Sequence, residues 1–274
     1  MKTIYFLIIF FFSFASLTFA QTNRFYYQVS FKEDSLASNY ITETVILDIN
    51  KDKIKFYSED FLIKDSLRNE TGNYLYSYNK FRHKLLRNRN SNITLNYMSL
   101  SPNYYVYETK DHQNWKILKD TKEIDGIKLQ KATTNYGGRT WEAWFAPSIP
   151  LQEGPYKFKG LPGLIVELKD LKEQYIFMLF KSKNLNYDYN TDYFLENLNA
   201  SKPIKISEEA YKKLLLDNFI NPLKDFGEGG LIVENERGEK VKANSRDVIA
   251  SQQNYLRKHN NPIELDKAIK YPTK

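Results

Sequence analysis

The sequence predicts an α+β protein that is mainly β, with a curved antiparallel sheet or half-barrel and about two helices from the C-terminal third packed on it. Polar and apolar residues alternate with period two through most of residues 24–182, and turn residues separate the runs. The chain contains 21 Tyr and 18 Phe, and aromatic residues favour strands. Spacing typical of helices begins only after residue 206.

Short turns join the predicted strands, which favours antiparallel pairing between strands that follow one another. Asn50–Lys53 is a turn between two strands, Asp125-Gly126 is a strong hairpin signal, and Lys169–Glu173 joins a further hairpin. The predicted strands are 25–31, 42–49, 53–58, 74–78, 104–109, 115–118, 127–136, 140–146, 164–168 and 174–181.

The last third of the chain changes to helical spacing. Ser207 is a candidate N-cap, Glu208 suits a first helical turn, and Asn221-Pro222 ends this helix. A second helix is predicted over Arg246–Lys258, and residues 228–240 between the helices suit a strand and a turn. The residues expected to face inward are Tyr211, Leu214, Leu215 and Phe219 in the first helix, and Val248, Ile249, Gln252, Tyr255 and Leu256 in the second.

Residues 1–20 are predicted to be a secretory signal peptide. Lys2 precedes an apolar run from Ile4 to Phe19, and Thr18-Phe19-Ala20 suits cleavage by a signal peptidase. An uncleaved membrane anchor is the alternative, because the run is close to the shortest length that spans a bilayer.

The mature chain is predicted to be a single domain over residues 21–274, with a mostly β part over 21–182 and a helix-containing appendage over 183–274 packed on the sheet. No later segment has the length and apolarity of a transmembrane helix. The sequence contains no Cys, so neither a lipid-modified N-terminal Cys nor a disulfide is possible. We therefore expect a periplasmic or secreted protein.

The formal net charge of +7 favours anionic partners, but 40 basic residues against 33 acidic ones is a mild excess. The basic stretch 79–90 would place Lys80, Arg82 and Lys84 on one face if it were extended, where they could meet an anionic surface. A solvated loop or hairpin is the preferred interpretation. Nucleic acid is not expected as a partner, because the protein is predicted to be exported.

The stretch Gly160–Ile165 reads Gly-Leu-Pro-Gly-Leu-Ile. Pro162 fixes its own φ, and a Pro-Gly pair is typical of a type II turn, which requires φ > 0 at Gly163. Gly160 would allow a close backbone approach. None of these side chains is titratable or nucleophilic, so the stretch is interpreted as a structural motif. The motif consists of Gly160, Leu161, Pro162, Gly163, Leu164 and Ile165.

A longer block around this stretch, Asn114–Asp170, resembles the central block of the GLPGLI family of exported bacterial proteins. Before the motif it contains a Trp, Thr-Lys-x-Ile, Lys-Ala, Gly-Arg-x-Trp-x-Ala-Trp, Ile-Pro and Gly-Pro in that order. Asn260–Leu265 also resembles this family. Two positions depart from its pattern: Leu129 stands where many members have a Cys, which removes a thiol-based role, and Phe145 stands where a Tyr is expected.

The best candidates for a binding site are Arg139, Trp141, Glu142 and Trp144. In a strand, Trp141 lies on one face, while Glu142 and Trp144 lie on the other. Arg139 enters at the start of this strand and could pair with a carboxylate of a ligand or a protein. The alternative is that one Trp fills the core and a C-terminal helix covers the other.

No residue pattern indicates a catalytic, cofactor or metal site. The three His residues lie far apart in the sequence, and it contains no metal-ligand spacing, nucleophile motif or phosphate loop. Glu142, Glu153 and Glu167 could supply a glycosidase-like pair of carboxylates. Outward-facing positions on strands explain these three residues more simply.

The resemblance implies export to the envelope of a Gram-negative bacterium and a link to outer-membrane receptors, but no activity, because the family's molecular function is unassigned. We predict a non-catalytic binding or accessory protein without a cofactor, associated with outer-membrane systems. Its partner would be an outer-membrane receptor, another envelope protein or an apolar cargo. The alternative is a hydrolase-type enzyme that acts on peptide or glycan, and a purely structural accessory is a third possibility.

We expect cleavage after Ala20, because the apolar run and Thr18-Phe19-Ala20 satisfy the requirements of signal peptidase. N-terminal sequencing of the exported protein should then begin at Gln21 or its cyclised form. Recovery of an intact Met1 terminus from the membrane fraction would show instead that the run stays as an anchor.

Overall fold

The computed structural model of the chain describes residues 22–73, 77, 79–224, 232–234, 240–242 and 244–273. The strands in this part are β1 (Thr22–Phe31), β2 (Ile41–Ile49), β3 (Lys53–Ser58), β4 (Lys84–Asn88), β5 (Ile93–Leu100), β6 (Asn103–Lys110), β7 (Lys116–Ile124), β8 (Ile127–Tyr136), β9 (Arg139–Ala146), β10 (Leu164–Asp170), β11 (Tyr175–Leu185), β12 (Ile204–Lys205), β13 (Ile232–Glu234) and β14 (Lys240–Lys242).

The helices are α1 (Glu59–Thr71), α2 (Glu208–Ile220) and α3 (Ser245–Lys258), with a π-helical turn at Asp192–Glu196 and a 3-10 turn at Leu265–Lys267. Across the described residues, we find no helix with the length and apolarity needed to cross a membrane.

Strands β1 to β12 form one open sheet in the order β12-β6-β5-β4-β3-β2-β1-β11-β10-β9-β8-β7, and β13 pairs with β14 apart from it. The mainly β fold with helices is therefore confirmed. The expectation of a wholly antiparallel sheet is wrong at one edge, where Ile204 and Lys205 run parallel to Tyr105 and Val106. A long connection after β11 carries the chain back to β6, and such a connection permits parallel pairing.

The hairpins form where short-range turn signals predict them. Asp125 and Gly126 both have positive φ, 49° and 76°, as a type I′ turn requires. Asn50 Oδ1 accepts hydrogen bonds from the backbone N–H groups of Asp52 (2.9 Å) and Lys53 (2.6 Å). The pairings of β7 with β8, of β2 with β3 and of β10 with β11 confirm the three predicted hairpins.

Sequence analysis misses helix α1, although the signals for its ends are present. Ser58 Oγ caps the helix by accepting from the Asp60 N–H at 3.4 Å, and Gly72 ends it with a φ of 72°. The strand predicted at residues 74–78 falls on positions that, apart from residue 77, lie outside the described residues.

The basic stretch 79–90 contains β4, which forms a hairpin with β5 as one form of the prediction has it, but the stretch is not simply solvated, because two of its cations are buried. Lys84 Nζ donates to the Phe194 carbonyl at 3.0 Å, and burial lowers the pKa of Lys84 to about 7. Arg87 forms a buried ion pair with Glu153. Long basic side chains can pack their aliphatic stems inside when each charged head finds an acceptor.

One face of the sheet packs on the segment 147–163, which connects β9 to β10. Phe158 contacts Trp141 of β9 with ring centroids 4.7 Å apart, and Tyr156 contacts Phe56 of β3 at 6.2 Å. In the sheet, β2, β1, β11 and β10 lie between β3 and β9. This segment, which we call the core segment, therefore bridges distant strands and fills the space between them.

The opposite face of the sheet packs on α1 and on the connection that carries the π-helical turn. Tyr57 of β3 and Phe61 of α1 both contact Phe194, with ring centroids 5.2 Å and 6.0 Å apart. Tyr104 of β6 donates its hydroxyl to the Leu195 carbonyl at 2.6 Å. The sheet thus buries apolar side chains on both faces, in two separate clusters.

Helix α2 begins where the sequence predicts, because Ser207 Oγ accepts from the Ala210 N–H at 3.1 Å. Its Tyr211 and Phe219 are buried, as expected of the apolar face. The Tyr211 ring stacks on Tyr107 of β6, with centroids 5.1 Å apart and an interplanar angle of 23°. This stack attaches α2 to the sheet.

Helix α3 matches its predicted bounds to within a residue, but none of its side chains is buried. Tyr255, predicted to face inward, is 40% exposed. The helix contacts α2, where Gln253 Nε2 donates to the Phe219 carbonyl at 3.0 Å. Because α3 rests on another helix rather than on the sheet, its apolar face is only partly covered.

The Pro162-Gly163 pair does not form the predicted type II turn. Gly163 has a positive φ, but at 158° it is nearly extended, whereas a type II turn needs about +80°. Its N–H donates to the Leu161 carbonyl at 2.8 Å, across Pro162 alone. The Leu164 N–H, which would close a type II turn, instead donates to the Ile149 carbonyl at 3.0 Å. Pairing with the core segment therefore overrides the local turn preference.

The two glycines of the motif exchange their predicted roles. A Cβ atom on Gly163 would lie 2.1 Å from the Ala146 carbonyl oxygen, so the close backbone approach is at Gly163. Gly160 has a φ of 91° with open space around it. The structural interpretation of the motif fits the burial of its apolar side chains, which are Leu161, Leu164 and Ile165.

We expect Gly163→Ala to lower the free energy of unfolding by about 1–3 kcal/mol, because the added methyl group collides with the Ala146 carbonyl. Gly160→Ala is the matched control and should cost only about 1 kcal/mol, the strain of a positive φ. Urea unfolding of both variants tests this order. A larger loss in Gly160→Ala would show that the turn conformation, and not the close approach, determines the motif.

Candidate functional site

A cavity of about 280 Å³ lies between the sheet, α2 and the C-terminal segment 259–271, and we call it the sheet–helix pocket. Its wall combines charged and polar groups with aromatic rings from strands, from the core segment, from α2 and from the chain end. The rings that line it are Phe31, Phe81, His83, Tyr107, Tyr156, Tyr175, Tyr211, His259 and Tyr271.

Side chains of the sheet hold the C-terminal segment in place. Arg139, the first residue of β9, donates from Nε to the Ile263 carbonyl at 3.0 Å and from Nη2 to the Pro262 carbonyl at 2.7 Å. The same Nη2 donates to Asn261 Oδ1 at 2.6 Å. Backbone carbonyls bound to a buried guanidinium cannot shift easily, so this wall of the pocket is fixed.

Arg139 and Trp141, proposed from the sequence as binding residues, lie inside the protein. Arg139 is buried and its Nη1 is 3.3 Å from Asp170 Oδ2. Trp141 is fully buried and its Nε1 donates to the Tyr136 carbonyl at 2.9 Å. Side chains in this position offer no surface to a partner in this conformation. Their contacts instead join the sheet to the core segment and the chain end.

Glu142 and Trp144 lie on the other face of β9, and neither lines the sheet–helix pocket. The Nζ atoms of Lys122 and Lys131 are 4.5 Å and 5.6 Å from the Trp144 ring centre. Glu142 forms an ion pair with Lys131 at 2.7 Å. Lysine side chains thus cover this half-buried Trp, where the alternative interpretation expects a C-terminal helix.

A buried cluster of charged and hydroxyl groups lies beside the pocket. Lys157 Nζ is 2.6 Å from Glu264 Oε1 and 3.7 Å from Asp111 Oδ1. Tyr156 donates its hydroxyl to the same Glu264 oxygen at 2.5 Å, and Lys267 Nζ is 2.6 Å from the other. Burial alone would raise the pKa of Glu264, but Lys157 and Lys267 outweigh it and lower the pKa to about 2.

His83 lies in the pocket wall between two rings, with centroids 4.9 Å from Phe81 and 5.1 Å from Tyr156. Burial lowers the pKa of His83 to about 4, and the nearby positive charge of Lys157 lowers it further than the carboxylate of Glu264 raises it. Its imidazole is therefore uncharged near neutral pH. Among the described residues it has no hydrogen-bond partner.

Of the carboxylates considered for glycoside hydrolysis, Glu142 and Glu167 are half-buried on β9 and β10, but the predicted outward-facing strand position is wrong for Glu153, which is buried in the core segment. Each of the three has a cationic partner. Among the described residues, no group of three or more His, Asp or Glu side chains is placed to hold a metal ion. The pairs are Glu142 with Lys131, Glu153 with Arg87, and Glu167 with Lys122.

Most of the pocket is not predictable from local sequence signals. His83, Tyr107, Tyr211 and Glu264 are widely separated in the sequence, and only the folded sheet, α2 and the chain end bring them together. The one available signal is the family-like stretch Asn260–Leu265, whose backbone forms part of the wall.

A family model described as "Protein of unknown function (Porph_ging)" matches residues 104–167, which run from β6 into β10. No curated protein matches the chain. Two crystal structures of PNGF-II, in space groups C2 and P21, are similar in fold, each with a TM-score of 0.51, and are 20% and 19% identical in sequence.

These matches cover 72% and 71% of this chain and 33% of the PNGF-II chain in both cases. The chain thus spans about a third of the length of that solved protein. At such low identity, the likeness shows a shared fold and carries no function.

We expect His83 to make the protein less stable as the pH falls from about 6.5 to about 4. The pKa of His83 is lowered from 6.5 to about 4 in the folded chain, so the unfolded chain takes up this proton first. The stabilisation is complete above pH 6.5 and is lost progressively below it, by about 1–3 kcal/mol at pH 4.

Urea unfolding at several pH values tests this dependence. His83→Gln should flatten the profile in that window, whereas His112→Gln, at an exposed position, should leave it unchanged. An undiminished loss of stability in His83→Gln would show that another group is responsible.

Proposed function

We propose that this chain is a non-catalytic ligand-binding protein of the cell envelope and that the sheet–helix pocket is its binding site. The observation that carries the proposal is a concave wall in which aromatic rings converge with polar and charged groups, a combination that small-molecule sites use for contact area and orientation. The pocket is built from packed elements of the sheet, α2 and the chain end.

The charged groups of the wall favour binding over catalysis. Lys267 bridges Glu264 at 2.6 Å and Glu208 at 3.1 Å, and Lys212 is 3.8 Å from Glu208. A general acid, base or nucleophile must reach the reacting atom with a free lone pair or proton. The four paired side chains use that capacity on each other and support the wall, whereas Glu33 and Lys80 line the pocket without an ion pair to a described residue.

Location and partners are part of the same proposal. Cleavage after Ala20 would release a periplasmic or secreted protein, and an outer-membrane receptor or another envelope protein would receive the loaded chain. The resemblance to the GLPGLI family supports this, and the family-model match over residues 104–167, which includes the motif, is compatible with it. The half-barrel description is supported by the core segment, which contacts both β3 and β9.

A hydrolase that acts on peptide or glycan is the second candidate, and one observation favours it. His83 is an uncharged imidazole in the pocket wall, close enough to Lys157 and Glu264 for their charges to shift its pKa. Turnover of peptide or glycan mixtures that is lost in His83→Ala would establish this function. We expect no such turnover.

We expect Ala268→Trp to prevent ligand uptake, because Ala268 lines the cavity and an indole would occupy much of its volume. Native mass spectrometry of protein equilibrated with small molecules from an envelope extract should show a bound mass on the wild type and none on this variant. Ala250→Trp, at an exposed position of α3, is the matched control and should retain the bound mass. Equal adducts on both variants would place the site elsewhere.

A further inference from the structure

The polar groups of the pocket wall fall into two classes. Tyr156 donates its hydroxyl to Glu264, and Tyr175 donates to the Asn261 carbonyl at 2.6 Å, so the protein already uses them. The hydroxyls of Tyr107 and Tyr211 have no hydrogen-bond partner among the described residues, although Tyr211 is only 7% exposed. Neither hydroxyl oxygen is a buried atom without a partner, so both face the open pocket and are free to donate to and accept from a ligand there.

We propose that the sheet–helix pocket takes a neutral, polyhydroxylated ring, that is, one or two units of an uncharged sugar. This inference rests on the proposed binding function and names its ligand class. The groups that point to it are the unpaired hydroxyls of Tyr107 and Tyr211 and the imidazole of His83, set among aromatic rings.

Hydrogen-bond chemistry matches this ligand. A Tyr hydroxyl both donates and accepts, and a neutral imidazole has one donor and one acceptor nitrogen. A sugar hydroxyl also does both, so it can pair with any of the three. Burial raises the pKa of Tyr107 and of Tyr211 and lowers that of His83, so all three remain uncharged near neutral pH.

Charge balance disfavours an ionic ligand in this part of the wall. The carboxylates of Glu208 and Glu264 share Lys267, and Glu264 also pairs with Lys157. A ligand charge set against Glu208, Glu264 or Lys267 would compete with one of these pairs, which is costly where the charges are buried. An uncharged ligand avoids that competition. The exposed Lys80 also lines the pocket and forms no ion pair with a described residue, so the glucuronate probe tests whether an anion binds there.

The size of the cavity disfavours a long acyl chain, and the absence of a free strand edge in its wall disfavours an extended peptide. The cavity of about 280 Å³ is just below the range of roughly 300–1,000 Å³ for drug-sized ligands, so it suits one or two rings rather than a long acyl chain. An extended peptide is usually bound along a free strand edge. The strands that line this pocket, β1, β5, β6 and β11, each have a neighbour on both sides.

Saturation-transfer NMR and calorimetry with a panel of probes test the inference. The neutral probes are glucose, galactose, mannose, N-acetylglucosamine and cellobiose, and the comparison probes are glucuronate, glucosamine and dodecanoate. We expect binding of at least one neutral sugar and none of the comparison probes. Tyr211→Phe keeps the ring stack on Tyr107 and should weaken that binding roughly fivefold by removing one hydrogen bond. Tyr187→Phe, at an exposed position outside the pocket, should leave it unchanged.

The outcomes separate this inference from the proposed function. If a comparison probe binds in place of the sugars and Ala268→Trp abolishes it, the pocket is a ligand site but the sugar class is wrong. Neutral sugars that bind equally well to wild type, Tyr211→Phe and Ala268→Trp would also overturn the inference. If no probe binds and the wild type carries no mass from the envelope extract, both proposals fail.

Discussion

The packing of the core segment against both halves of the sheet is the constraint on which the rest of the structure depends. Phe158 and Tyr156 contact strands that are separated by four others, so these rings close an interior that the open sheet alone would leave exposed. Lys157 lies between them with a buried charge. Losing one partner from a buried ion pair typically costs about 3–5 kcal/mol, so Glu264 must dock beside this lysine.

That docking places the chain end where it forms one wall of the pocket. The Leu265 N–H donates to the Gly137 carbonyl at 2.6 Å, and a Cβ on Gly138 would lie 2.8 Å from the Asp266 nitrogen, so the β8–β9 turn is shaped for this contact. The other wall rests on α2, and α3 behind it has no buried side chain. Local opening costs least where packing is sparse. We therefore expect a ligand to enter from the helix side.

Local signals predict the hairpins and the start of α2 because a turn or a cap is decided by a few adjacent residues. They fail where a distant contact decides. Gly163 has no room for a Cβ atom because the Ala146 carbonyl lies beside it. The Pro-Gly pair in the sequence gives no indication of that contact. The alternation of side chains along a strand places Trp141 and Trp144 on opposite faces of the sheet, but it does not predict which part of the chain covers each face. The pocket was missed for the same reason, since Tyr107 and Tyr211 meet only when α2 returns to β6.

The part of the chain that carries the family match is mostly scaffold. Residues 104–167 supply nearly all of β6, all of β7 to β9, the core segment and the first half of β10, and of the residues that line the pocket only Tyr107 and Tyr156 lie within that range. The rest of the wall comes from the N-terminal strands, α2 and the chain end. Proteins that share the matched block can therefore keep the same core while presenting different side chains to a ligand. Similarity in that block argues for a common fold, and under the proposed function the choice of ligand would depend mainly on residues outside it, such as Tyr211, His83 and the chain end.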